Sequence, residues 1–499
     1  MPVGKVAATN GNSNSAPRVV HHNDPMAHEL TLDDDRLFPP DDTTRKIARR
    51  IYAETRDLPV ISPHGHVPPA WLADNTSFDN PTRLLITPDH YLNRIMHANG
   101  VELSELGVPM SRPVMDEAGN RKAFRTLCEH WADYRGTAMR YWLTDQLVRV
   151  FGVRQRPSAE TADAIYDTIQ AWIDDENHRP RQLMDQFRIS FLATTDDPCD
   201  DLRFHQKLHA DTKFSEAHTV VPTFRPDKYL EPARTDWNTS IDRLAEVTGL
   251  DTSTLAGYTD AMENRRAYFR ANGAVSTDHS HDDLAAEYLD DALAQELYRK
   301  ARRNEISGEE AVALRRHLLM DQARMATEDG LTMTLHPAVW RDHDPATAEA
   351  YGQDVGCDIP YAVEMTKALR PMLNAFGNHP NLNLVLFTLD EDTYSREIAP
   401  LAGFYRSVYI GVPWWFIDAP ESIMRFKQSV TEMGGFSRIS GMIDDTRAFC
   451  SIPARHDMMR RLDAAHLAQL VVIHRLDEDE AIDQAHRLVV DNPKKVFKL

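Results

Sequence analysis

Short apolar runs that end in polar residues recur along this chain, with helix-like stripes between most of them. Leu58 to Ser62 runs into Pro63-His64-Gly65-His66, and Arg188 to Ala193 into Thr194-Thr-Asp196-Asp197. Thr219 to Phe224 ends in Arg225-Pro-Asp227, and Leu331 to Leu335 in His336, with Arg341 five residues on. Leu382 to Leu389, Val408 to Phe416 and Ile439 to Arg447 close the series. Each run has strand length, and segments such as Tyr361 to Phe376 and Ala419 to Met433 carry helical spacing. Asp42 is a plausible cap for a helix whose stripe is Ile47, Ile51 and Tyr52, and Tyr91, Ile95 and Met96 mark a second helix.

Strand and helix in alternation mean parallel βα units. Seven or eight units predict an α/β fold of the (β/α)8 TIM-barrel type, with the polar tips at the C-terminal barrel mouth. Two charged stretches, near 100–187 and 230–325, are expected to be helical insertions on a barrel covering residues 31–499. Residues 1–30 lack periodicity and read as a flexible tail that includes His21 and His22.

Composition narrows the function. No run of about 18 apolar residues is present, and the first residues lack an apolar signal core, so a cytoplasmic protein without a membrane span is expected. The cysteines Cys128, Cys199, Cys357 and Cys450 are far apart and match no metal-binding spacing. A net charge of −20 disfavours nucleic acid and anionic membranes, and requires local arginines if the ligand is an anion. A homo-oligomer is left open.

His64 and His66 are two residues apart at the end of a strand, and a period of two puts them on one side. Two imidazoles there can hold a divalent metal. An HxH in a chain with 22 histidines is weak by itself; surface histidines in a loop are the bland alternative.

Several motifs in order are more specific. HxH, Asp89-His90-Tyr91, Thr-Thr-Asp196-Asp197-Pro, Pro-Thr-Phe-Arg225-Pro-Asp227-Lys, Leu-His336 with Arg341, Trp414-Trp415-Phe and Gly441-Met-Ile-Asp-Asp445-Thr-Arg447-Ala-Phe together resemble the uronate isomerases. These are the glucuronate/galacturonate isomerases of the amidohydrolase superfamily, and the resemblance runs from about residue 32 to the C-terminus. It implies an aldose–ketose isomerase that interconverts hexuronates by proton transfer through an enediol.

The resemblance also implies roles. His64, His66 and Asp445 would hold the divalent metal, Zn²⁺ being the natural choice for two imidazoles and a carboxylate. Spacing alone does not separate Asp445 from Asp444; the family's Asp-x-Arg pattern favours Asp445. Tyr91 and Arg447 would be the proton-transfer pair, the arginine lowering the phenol's pKa. Arg341 and Arg181 would bind the carboxylate, and His90, Asp227, His336, Trp414 and Trp415 would line the sugar site, although the tryptophans read equally well as core fillers. A metal-dependent hydrolase or decarboxylase on the same barrel is the alternative, as is a non-catalytic sugar-acid binder. The few further strand-end histidines count against a binuclear hydrolase.

Overall fold

The computed structural model describes residues 29–109 and 113–499. The expected tail lies outside the described residues except for its last two. There, Glu29 bridges Gln155 and the buried Leu30 donates its N–H to the Arg154 carbonyl.

Nine strands are described: β1 (Val60–Ser62), β2 (Ile189–Ala193), β3 (Thr219–Val221), β4 (Ser276–His279), β5 (Thr332–Leu335), β6 (Val339–Trp340), β7 (Ile359–Pro360), β8 (Leu384–Leu386) and β9 (Val408–Ile410). β1, β2 and β3 pair in parallel, as do β4, β5, β8 and β9. Parallel bridges from Phe224 to both Asp196 and Thr277 join the two sheets. On the other side Ile439 bridges Ile410, and the His66 N–H reaches the Thr446 carbonyl at 3.1 Å. The segment 439–446 is thus the eighth stave of a closed parallel ring. β6 and β7 form an antiparallel hairpin.

Helices surround the ring. The stretch expected as an insertion near 100–187 is helical throughout most of its length. The stretch 230–325 is not purely helical, because it carries β4 between the helices Leu255–Ala271 and Asp291–Arg302. Only four residues long and ending Thr277-Asp278-His279, that strand has too little apolar sequence to stand out. Residues 361–369 are not helical either; the Glu397 carboxylate accepts the N–H groups of Met365 and Thr366 instead.

Inside the ring, Ile61, Phe191, Ala193 and Val221 meet Val490 from the C-terminal segment. The first helix, Asp42–Thr55, is capped by Asp41, one residue earlier than the sequence suggests: this carboxylate accepts both the N–H and the hydroxyl of Thr44 at 2.8 Å. Its stripe Ile47, Ala48, Ile51 packs on Ala464, Leu467 and Ala468 of the helix Ile452–Val472. Truncating the fully buried Ile51 to alanine would cost about 2–5 kcal/mol. The anchored helix Ile452–Val472 in turn delivers Arg455 and His456 to the mouth of the ring.

Candidate active site

A cavity of about 520 Å³ opens at the C-terminal ends of the strands. Its walls include His66, His90, Tyr91, Arg225, Asp227, His336, Arg341, Trp414, Trp415, Asp445, Arg447 and Arg455.

β1 ends at Ser62, so His64 and His66 stand on the loop beyond it rather than on the strand. They nevertheless converge, ring edge to ring face, with centroids 5.3 Å apart. Asp445 Oδ1 lies 3.4 Å from His64 Nε2 and 3.0 Å from His66 Nε2. Burial pushes the Asp445 carboxyl upward, but the two imidazoles outweigh it and hold the group far below the usual carboxylate range. Asp444 faces the other way and meets His456 Nε2 at 3.0 Å. The backbone makes this division: Asp445 has φ 43°, a left-handed conformation that costs a non-glycine residue about 1–3 kcal/mol and turns its side chain into the mouth.

The donor set fits a divalent metal ion. Two imidazoles and a carboxylate have their ligand atoms within 4.8 Å of one another. Among the described residues, His64 Nε2 and Asp445 Oδ1 are buried with no well-formed hydrogen bond, an arrangement that costs stability unless a cation completes it.

Deeper in the cavity, His336 Nε2 is 2.6 Å from Asp278 Oδ1, and Arg225 Nη1 is 3.4 Å from Asp278 Oδ2. Burial would raise the Asp278 carboxyl; His336, His64 and Arg225 reverse this and keep it well below its usual range. Trp414 packs its ring against both His336 and His64, at 4.4 and 5.8 Å. Asp227 pairs with Arg225 at 2.9 Å.

His90 is the first residue of the helix His90–Ala98, which Asp89 caps, and it stacks on Tyr91 at 5.0 Å. Burial, then Arg447, drive its pKa down to about 3, so the ring is neutral. Tyr91 donates its hydroxyl to Asp418 at 3.1 Å, while Arg455 holds the same carboxylate at 2.8 Å. The expected partner, Arg447, pairs with Asp354 instead. The phenol's pKa therefore moves up, not down: burial raises it and the Asp418 charge raises it further.

Arg341 stacks over Trp415 at 4.8 Å and reaches Asp358 at 3.3 Å. Arg447 is depressed by burial and by the charges of Arg225 and Arg341, and all three side chains line the cavity. These arginines put cations at the cavity wall, which an anionic ligand of a chain with net charge −20 requires. Arg181 is the candidate the cavity leaves out. Its guanidinium bonds the Leu72 and Ala73 carbonyls and Asp211, capping the helix Pro69–Asp74.

Sequence reasoning missed Asp278, Asp418, Arg455, His279 and His281. Asp418 and Arg455 carry no local signal, since 37 residues separate them. His279-Ser280-His281 is a second HxH in plain view, concealed by the charged helices around it.

With this geometry established, comparison with known proteins is decisive. A family model described as glucuronate isomerase matches residues 42–497. The chain belongs to the glucuronate isomerase family. A uronate isomerase of Cutibacterium acnes is 61% identical over 470 residues, covering 94% of this chain and 99% of that relative. One from Mesorhizobium japonicum is 44% identical over 467 residues, covering 94% and 99%. The crystal structure of a glucuronate isomerase from Caulobacter crescentus superposes with a TM-score of 0.91 at 40% identity, covering 94% of this chain and 97% of that one. The fold is accordingly the TIM-like barrel of the amidohydrolases, as the alternation of runs predicts. Among the described residues no helix is long and apolar enough to cross a membrane.

Proposed function

We propose that this isomerase interconverts D-glucuronate with D-fructuronate and D-galacturonate with D-tagaturonate in the cytoplasm, with Zn²⁺ at His64, His66 and Asp445. The observation that carries this reading is the meeting of a His-His-Asp donor set and three guanidiniums in one cavity. A hexuronate presents a carbonyl and hydroxyl at one end and a carboxylate at the other, which matches both halves. The four cysteines, all free, accord with a reducing compartment.

A divalent ion held by His64, His66 and Asp445 would supply Lewis-acid polarisation to the reacting end of the substrate. Arg341, stacked on Trp415, takes the substrate carboxylate as a planar donor fork. Arg447 adds charge that favours the enediolate. Tyr91 moves the proton between C2 and C1, with Asp418 accepting the phenol's proton whenever Tyr91 acts as the base. Arg455 steadies Asp418, and His90, neutral and stacked, keeps the Tyr91 ring in place. His336 and Asp227 offer polar contacts to the sugar hydroxyls from the cavity wall.

Incubation with D-glucuronate and with D-galacturonate, followed by NMR, tests the function. Appearance of the ketose at constant total uronate is the expected result. A product that has gained water or lost CO₂ would point to the hydrolase or decarboxylase alternative and sink the isomerase reading.

A further inference from the structure

β4 ends in His279, and His281 follows two residues later, so the chain carries a second HxH at the barrel mouth. Asp227, the first residue of the short helix Asp227–Leu230 after β3, faces both imidazoles, and the candidate ligand atoms of the three residues lie within 4.8 Å of one another. His279 and His281 are 0% and 6% exposed.

The hydrogen bonds around the two rings leave one nitrogen free on each. His281 Nδ1 lies 2.6 Å from Glu231 Oε1, so this nitrogen holds the proton and Nε2 keeps its lone pair. His279 Nε2 lies 3.1 Å from the Thr277 hydroxyl; donation there leaves the lone pair on Nδ1. Among the described residues, His281 Nε2 and His279 Nδ1 are both buried and without a hydrogen bond. Asp227 Oδ1 is 3.9 Å from His281 Nε2, beyond hydrogen-bond reach but compatible with ligands flanking one cation. A carboxylate behind a histidine, as Glu231 stands behind His281, is the arrangement that fixes tautomer and basicity in metal-ligating imidazoles.

We propose that Asp227, His279 and His281 form a second divalent-metal site, made from donors separate from those of the His64, His66 and Asp445 set. Two imidazoles and one carboxylate select a Zn²⁺- or Co²⁺-type ion over Mg²⁺ or Ca²⁺. Asp227 and His281 line the cavity, so the ion keeps open positions toward it. Arg225, 2.9 Å from Asp227, releases part of that carboxylate when the ion binds and remains paired with Asp278.

Titration of the chelator-stripped protein with Co²⁺, read by visible absorption and by elemental analysis, tests the site. Wild type is expected to take two Co²⁺ per chain, and His64→Ala/His66→Ala and His279→Ala/His281→Ala one each. Glu231→Gln, which leaves all three ligands in place, is expected to weaken the second Co²⁺ by roughly 10–100-fold. A wild type that saturates at one Co²⁺, or a second Co²⁺ that persists in His279→Ala/His281→Ala, would overturn the proposal. If that double variant does not fold, Asp227→Asn in the His64→Ala/His66→Ala background decides: undiminished Co²⁺ affinity refutes the site and lost affinity supports it. Isomerase activity is not the readout, so the outcome is independent of the uronate assay.

Discussion

The hydroxyl of Tyr91 donates to the carboxylate of Asp418, 327 residues away, and Arg455 donates to the same carboxylate oxygen, Oδ2. A neutral phenol hydrogen-bonded to a buried carboxylate is a proton-transfer pair with its receiver already in place. Tyr91→Phe is therefore expected to lower kcat by about 10²–10⁴-fold, while stability falls by only about 1 kcal/mol for the lost hydrogen bond. Asp418→Asn should behave differently, because it strands the buried Arg455 and costs on the order of 3–5 kcal/mol. Steady-state kinetics with thermal unfolding separate the two; a fully active Tyr91→Phe enzyme removes Tyr91 from the chemistry.

Arg341 is the carboxylate clamp to test first. Its side chain is 40% exposed and only loosely held by Asp358, so it is available to a ligand. Arg341→Met is expected to raise KM for a hexuronate by roughly 30-fold, about 2 kcal/mol, with a smaller effect on kcat. Unchanged KM would exclude it.

Isomerisation in D₂O distinguishes proton transfer from hydride shift. A proton parked on the Tyr91–Asp418 pair exchanges with solvent before delivery, so deuterium is expected at C1 of the ketose. Mass spectrometry or NMR of the product reads this. A deuterium-free ketose, obtained together with an unimpaired Tyr91→Phe enzyme, would leave the pair no role.

Asp196 governs a pH effect away from the chemistry. Burial pushes its carboxyl up to about 7, although the Thr194 hydroxyl bonded to it pulls the other way. In the unfolded chain the same group titrates near about 3.9. The folded state thus binds the extra proton between these values. The stability from Asp196 is complete below about pH 4 and is lost as pH rises to about 7, at about 1.4 kcal/mol per pH unit. Denaturant unfolding of wild type and Asp196→Asn across that window should give curves that diverge, the variant gaining as pH rises. Parallel curves would show that Asp196 ionises normally.

The period of apolar runs was enough to establish the barrel, because burial on both faces of a parallel strand writes a continuous apolar word into the sequence. HxH and the Asp-x-Arg turn were likewise legible, since both donors in each lie within a few residues of a strand end. β4 escaped because the site occupies most of it: Thr277, Asp278 and His279 replace the apolar signal with polar groups that only their buried neighbours make tolerable. Spacing by itself left Asp444 and Asp445 unseparated, because it does not encode φ; the Asp-x-Arg resemblance favoured Asp445, the residue whose left-handed backbone faces it to the mouth. The partner of Tyr91, the capping role of Arg181 and the convergence of Arg225, Arg341 and Arg447 were decided by closure of the ring. They depend on distances between residues far apart in the chain, and the phenol's pKa rises because closure buries it, the Asp418 charge adding to the effect.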